Sequence, residues 1–82
     1  MTTRPVDVIA NYLTKRRLSN SAEGGAYDLD SAGLLAGGWA TIPNPVQAAA
    51  NLLGCRMSWP DAAGLAEVLD AAGMLVQPTL EG

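Results

Sequence analysis

The sequence predicts a mainly α-helical protein, a compact bundle of three to four short helices with a minimal β-strand pair, in a single domain spanning residues 1–82. Two helix-sized segments in the second half are bracketed by terminator residues: Asn44-Pro45 leads to Gly54, and Ser58-Trp59-Pro60-Asp61 leads to Gly73. Asn and Ser accept hydrogen bonds from free N–H groups at an N-cap, proline loses no donor in a first turn, and glycine suits a left-handed C′ position. Apolar residues inside these segments, and in a third near the N-terminus, recur at the 3.6-residue helical period.

The first helix is expected over about residues 5–17, with Val6, Ile9, Ala10 and Leu13 forming a buried stripe. Asp7 near its start and Lys15, Arg16 and Arg17 at its end complement the macrodipole, each contributing about 0.3–1 kcal/mol. Residues 19–28 begin with Ser-Asn-Ser and include Gly24-Gly25, and read as a flexible loop. Between Leu29 and Gly37, Asp30 or Ser31 would cap one or two helical turns, because Gly33 and Gly37 each cost a helix up to about 1 kcal/mol.

Trp39 to Ile42 favours a short strand that Pro43 and Pro45 end. A helix over about 45–53 carries Val46, Ala49, Ala50 and Leu53 on one face. Another over about 59–72 carries Ala62, Leu65, Ala66, Val68, Leu69 and Ala72. Met74 to Val76 forms the second strand, ended by Pro78, and residues 77–82 are a tail. No internal repeat is read along the chain.

The chain carries a net charge of -3, and only five side chains are cationic. Phosphate neutralisation by Lys and Arg supplies most nonspecific nucleic-acid affinity, so DNA is disfavoured as a partner. Phe is absent and Ala recurs throughout, so the apolar residues contribute modest area each and the core is small. A homodimer burying further surface is an alternative route to stability. Cys55 stands alone and reads as a small buried hydrophobe in a reducing, cytoplasmic setting. No apolar run has the length of a membrane span, and the first 17 residues are too polar for a signal peptide.

Catalytic and ligand motifs are not found. Without histidine, a Ser or Cys nucleophile lacks its commonest general base, and one cysteine with scattered acids makes no conventional metal site. Asp28, Asp30 and Gly33 begin like a calcium loop, but Ala32 and Trp39 occupy positions that need oxygen ligands. No cofactor, metal or enzymatic activity is expected.

The order of elements, with "AAANLLG" ending at Gly54 and "LAEVLDAAGMLV" from Leu65 to Val76, resembles a winged helix-turn-helix domain over about residues 39–76. The resemblance implies a recognition helix at 59–72 and a wing after Gly73. That helix carries Asp61, Glu67 and Asp70 and no basic residue, whereas base readout requires donors such as Arg, Lys, Asn or Gln. The composition resembles that of small proteins of high-GC actinobacteria and their phages.

Two groups are candidate partner-binding residues. Lys15, Arg16 and Arg17, joined by Arg56, would contact phosphate or an acidic protein surface, against the favoured reading of a solvated helix end. Trp59, with Met57 and Leu52, would anchor a protein partner. Burial of Trp39 and Trp59 is nevertheless the expectation, because the core is short of large side chains. The expected function is a small non-catalytic regulatory protein that binds another protein, of the kind a phage uses to modulate a host factor. The alternatives are a dimeric winged-helix DNA-binding transcriptional regulator and a structural oligomer.

Overall fold

The computed structural model describes residues 4–19 and 21–78. Four helices follow in order: α1 Pro5–Lys15, α2 Ala22–Ser31, α3 Pro45–Leu53 and α4 Trp59–Ala71. They form two helical hairpins, α1–α2 and α3–α4, and the radius of gyration of 11.8 Å equals that of one packed body of this length.

Local chemistry accounts for most helix ends. The Asn44 side chain accepts a hydrogen bond from Gln47 N at 3.1 Å, capping α3. Asp7 accepts from the Arg4 backbone N–H at 3.4 Å in the first turn of α1. The helix predicted over 5–17 ends at Lys15, and Arg17 turns left-handed with φ of 57°. Leu18 N then reaches Leu13 O at 2.8 Å, closing a Schellman-type end without glycine.

Two predicted caps differ. Gly54 is right-handed with φ of -61° and does not take the left-handed position, because the chain continues in turns through Arg56. The Ser58 hydroxyl donates to Asp61 Oδ2 at 2.8 Å and accepts no helical N–H.

The flexible loop predicted over 19–28 is largely helix α2, with Asn20 outside the described residues. Ser21 caps it, accepting from Gly24 N at 3.2 Å. Gly24 and Gly25 each weaken a helix by about 1 kcal/mol, but here both are contact points. Arg56 lies over Gly24, and Gly25 is buried against Leu53 and Ile9. Tertiary packing overrides local propensity.

Strand structure is smaller than predicted. Trp39 to Ile42 is irregular, and among the described residues the β pairing is one antiparallel bridge between Leu35 and Leu75. Gln77 and Pro78 are exposed, and the rest of the predicted tail lies outside the described residues.

The two hairpins are copies of one unit, which corrects the reading of a chain without repeats. At a constant offset of 40 residues, Pro5-Val6, Ala10-Asn11, Leu13, Arg16, Ala22, Gly24, Ala26, Leu29-Asp30, Ala32-Gly33 and Leu35 meet identical residues from Pro45-Val46 through to Leu75. The structure keeps the register. α1 and α3 begin at Pro5 and Pro45, α2 and α4 end at Ser31 and Ala71, and Gly33 and Gly73 both have φ of 72°. Leu34 N bonds Leu29 O and Met74 N bonds Leu69 O, each at 2.9 Å, in matching Schellman ends.

Contacts between the halves are reciprocal, as a pseudo-twofold requires. Ala36 N donates to Met74 O at 2.7 Å, and the equivalent Val76 N donates to the equivalent Leu34 O at 2.8 Å. Arg56 covers Gly24, and its counterpart Arg16 lies beside Gly64, the counterpart of Gly24. The shared core positions Leu13 and Leu53, and Leu29 and Leu69, are all buried. At another pair the sizes are exchanged: Ile9 and Gly25 in the first hairpin become Ala49 and Leu65 in the second, all four buried.

Candidate protein-docking surface

The largest side chains are at the surface. Trp39 is 72% exposed and Trp59 51% exposed, correcting the expectation that both are buried. The core closes without them, through Ile9, the buried leucines Leu13, Leu29, Leu34, Leu53, Leu65 and Leu69, and small alanines that allow close helix contact. All four aromatic residues are peculiar to one repeat: Tyr12 faces Leu52 in the register, Tyr27 faces Glu67, Trp39 faces Thr79 and Trp59 faces Ser19. The shared residues build the fold; the aromatic ones break its symmetry.

Trp39 is held by one ring face. It stacks over Gly33, where a β-carbon would stand 2.6 Å from the indole, and the chain around it is fixed by Ala40 N donating to Gly33 O at 3.0 Å. Beside it runs a groove of about 430 Å³ lined by Leu34, Ile42, Ala48 and Leu52. Leu52, predicted as a partner contact, is half-buried in that lining. Trp59 opens α4 and its ring approaches the end of α3 at Gly54, while Met57 is half-buried. Both indoles therefore border α3.

The predicted cationic group divides. Arg56 Nε donates to Asp28 Oδ2 at 2.6 Å, joining the loop after α3 to α2. This bond holds the Asp28 carboxyl below its ordinary range and raises the Arg56 guanidinium. Arg16 Nε bonds the Tyr12 hydroxyl at 3.2 Å, stacks 5.4 Å from that ring and approaches Asp61 at 3.9 Å. Arg56 is thus committed to the opposite hairpin, and Arg16 to Tyr12 of its own helix and to Asp61 across the hairpins. Lys15 and Arg17 are exposed and, among the described residues, make no ion pair.

The remaining polar candidates are placed plainly. Asp28 and Asp30 lie on α2 and form no loop. Cys55 is exposed, against the expectation of a buried thiol, because the turn after α3 turns it outward. Among the described residues no group of three or more His, Cys, Asp or Glu side chains is placed to hold a metal ion, and no helix is long and apolar enough to cross a membrane. Sequence reasoning missed Trp39 as a surface residue; Gly33, which accommodates its ring, was the available signal. No protein-family model, curated protein or solved structure matches this chain.

Proposed function

We propose that the protein is a small, non-catalytic regulatory module that binds another protein through the tryptophan-bearing surface around α3. The exposure of Trp39 beside an apolar groove, and of Trp59 at the C-terminal end of α3, carries this reading. Tryptophan is enriched at binding hot spots, where one indole removed costs a complex more than 1 kcal/mol. The core loses little if either ring is removed, so the two exposed indoles are free to contact a partner.

The winged-helix reading, with DNA as partner, has less behind it. Its signature at Gly73 has a twin at Gly33, so duplication of one hairpin accounts for the punctuation. Arg16 and Arg56, half of its phosphate contacts, neutralise carboxylates within the protein. Pairing of the hairpins within one chain also supplies the surface that a homodimer would otherwise bury. A modulator of a host factor fits the phage-like composition.

The test is capture of a partner from the native host, followed by titration of that partner against Trp39→Ala and Trp59→Ala. Each variant is expected to retain the helical circular-dichroism spectrum and to bind about tenfold more weakly or worse. A duplex-DNA titration at low salt runs in parallel, with no binding expected. Unaltered partner affinity in both variants, or salt-sensitive duplex binding, would displace the proposal.

A further inference from the structure

The two repeats differ in one respect that the shared fold does not require. In the second hairpin, Pro45, Ala50, Ala62, Ala66 and Leu75 are buried, because α3 and α4 pack closely along their length. Their identical counterparts Pro5, Ala10, Ala22, Ala26 and Leu35 are half-buried or exposed. The first hairpin is splayed. Between α1 and α2 it leaves a cleft of about 790 Å³, open to solvent and floored by Val6, Ala10, Ala22, Ala26 and Leu35.

We propose that this cleft receives a cationic amphipathic helix of a protein partner. Charge complementarity specifies the sign. The rim holds Asp7, Glu23 and Asp30 against the single Arg4, and Asp7 and Glu23 stand where the closed hairpin has Gln47 and Ala63. The closed twin carries acids at other positions, Asp61 and Glu67 where the open repeat has Ser21 and Tyr27, so acids are relocated between the repeats. On the open rim Asp7 pairs with Arg4 at 3.4 Å, and Glu23 and Asp30 make no ion pair among the described residues. Tyr27, 70% exposed on the same rim, replaces Glu67 and adds an aromatic wall suited to Lys or Arg as well as to apolar side chains.

The floor specifies the shape. Small side chains on two adjacent helices let a third helix approach to the usual interaxial distance of about 8–10 Å. Its i, i+3, i+4, i+7 face would meet Val6, Ala10 and Ala26, the mode by which apolar grooves read amphipathic helices. Among the chain's own helices α2 and α4 are acidic, α1 balances Asp7 with Lys15 and α3 is uncharged, so a second copy offers no cationic helix to the acidic rim.

This inference rests on the reading of the chain as a protein-binding module, but not on its tryptophan surface. The probe is a dye-labelled Leu/Lys amphipathic peptide, with a Leu/Glu peptide of the same pattern as control, titrated by anisotropy and mapped by amide chemical shifts on the full-length protein. Saturable binding of the Leu/Lys peptide alone is expected, with shifts at Ala10, Ala22 and Ala26. Glu23→Lys/Asp30→Lys should weaken it about tenfold or more. That pair places one Lys near the start of α2 and one near its end, so dipole effects on folding oppose each other. Ala26→Leu fills the cleft without adding charge and should also abolish binding. Trp39→Ala and Trp59→Ala should leave it unchanged, which separates failure here from failure of the tryptophan-surface reading. Equal binding of both peptides, shifts confined to Trp39 and Leu52, wild-type affinity in the charge-reversed variant, or self-association that occupies the cleft would each overturn the proposal.

Discussion

Arg56 crosses from the second hairpin to cover Gly24 of the first, where a β-carbon would stand 2.5 Å from Nη1; Arg16 makes the reciprocal crossing, with Nη2 3.6 Å from a β-carbon on Gly64. The glycine in each repeat is thus the seat for the other repeat's arginine. Because both contacts join residues shared at the 40-residue offset, a single ancestral hairpin pairing with its own copy would make them twice. Within one chain the two hairpins meet at high effective concentration, which suits a core this small.

At Gly64 the closest neighbour is not the arginine but the Tyr12 hydroxyl, 2.5 Å from where a β-carbon would be, and that hydroxyl donates to Asp61 O at 3.0 Å. Gly64→Ala should gain about 0.5–1 kcal/mol of helix propensity in α4 but displace the phenol and its hydrogen bond, for a net loss of about 1 kcal/mol. In a Tyr12→Phe background the obstructing oxygen is gone and the nearest ring carbon, 3.5 Å away, is at ordinary contact distance. There Gly64→Ala should stabilise the protein. Urea denaturation of the four proteins checks this, and an equal loss in both backgrounds would clear the hydroxyl of any part.

Stability should fall on acidification, in part through Asp28. Its hydrogen bond from Arg56 depresses the folded-state pKa below the ordinary carboxylate value, and Asp7 is depressed in the same way by Arg4. A depressed carboxylate makes the unfolded state the stronger proton binder, so the contribution is complete above the unfolded value of about 3.9 and is lost as pH drops through the folded value. Asp28→Asn and Asp7→Asn should each flatten the dependence of the denaturation midpoint on pH below about 5 while leaving its slope near pH 7 unchanged. Unaltered acid sensitivity in both variants would place the titrating groups elsewhere.

Gly33 and Gly73 share one backbone conformation, and an L side chain at φ of 72° costs each about 1–2 kcal/mol. Only Gly33 has a ring above it. A β-carbon there would collide with the Trp39 indole at 2.6 Å, whereas nothing lies within 4 Å at Gly73. Gly33→Ala should therefore destabilise more than Gly73→Ala, and it alone should shift Trp39 fluorescence. Adding Trp39→Ala should bring the two costs together. Equal costs with Trp39 in place would mean that the indole does not rest on Gly33 in solution.

The second hairpin was legible because its signals are local. Asn44 caps within three residues, prolines stand in the first turns, and α3 and α4 run over 45–53 and 59–71, against 45–53 and 59–72 expected. The first hairpin was half legible. α2 contains Gly24-Gly25, and the groups that stabilise it there, Arg56 over one glycine and Leu53 against the other, come from the far repeat. With α2 read as loop, the resemblance between its end and that of α4 had no helix to belong to, and the duplication passed unseen. Surface placement of both indoles was equally non-local: counting large side chains favours burying them, but Leu29, Leu53, Leu65 and Leu69 with their alanines already close the interior.

The exchange of sizes between the repeats offers a direct test of their equivalence. Ile9 packs on Gly25, whose β-carbon would lie 3.8 Å from Ile9 Cγ2, whereas the second hairpin buries Ala49 and Leu65 at the same positions. Ile9→Ala alone should cost about 2–5 kcal/mol, much of the total stability of a domain this size. Gly25→Leu alone should also destabilise, by about 1–3 kcal/mol, because the added side chain meets Ile9 and Leu53 Cδ2, which lies 3.4 Å from the β-carbon position. Together they recreate the pairing of the closed hairpin, and the double variant should be more stable than the sum of the single losses predicts by at least about 1 kcal/mol. Denaturant unfolding of the two single variants and the double completes the cycle. Strict additivity would show that the matching positions do not share one packing solution, and the equivalence of the two cores would then be limited to their backbones.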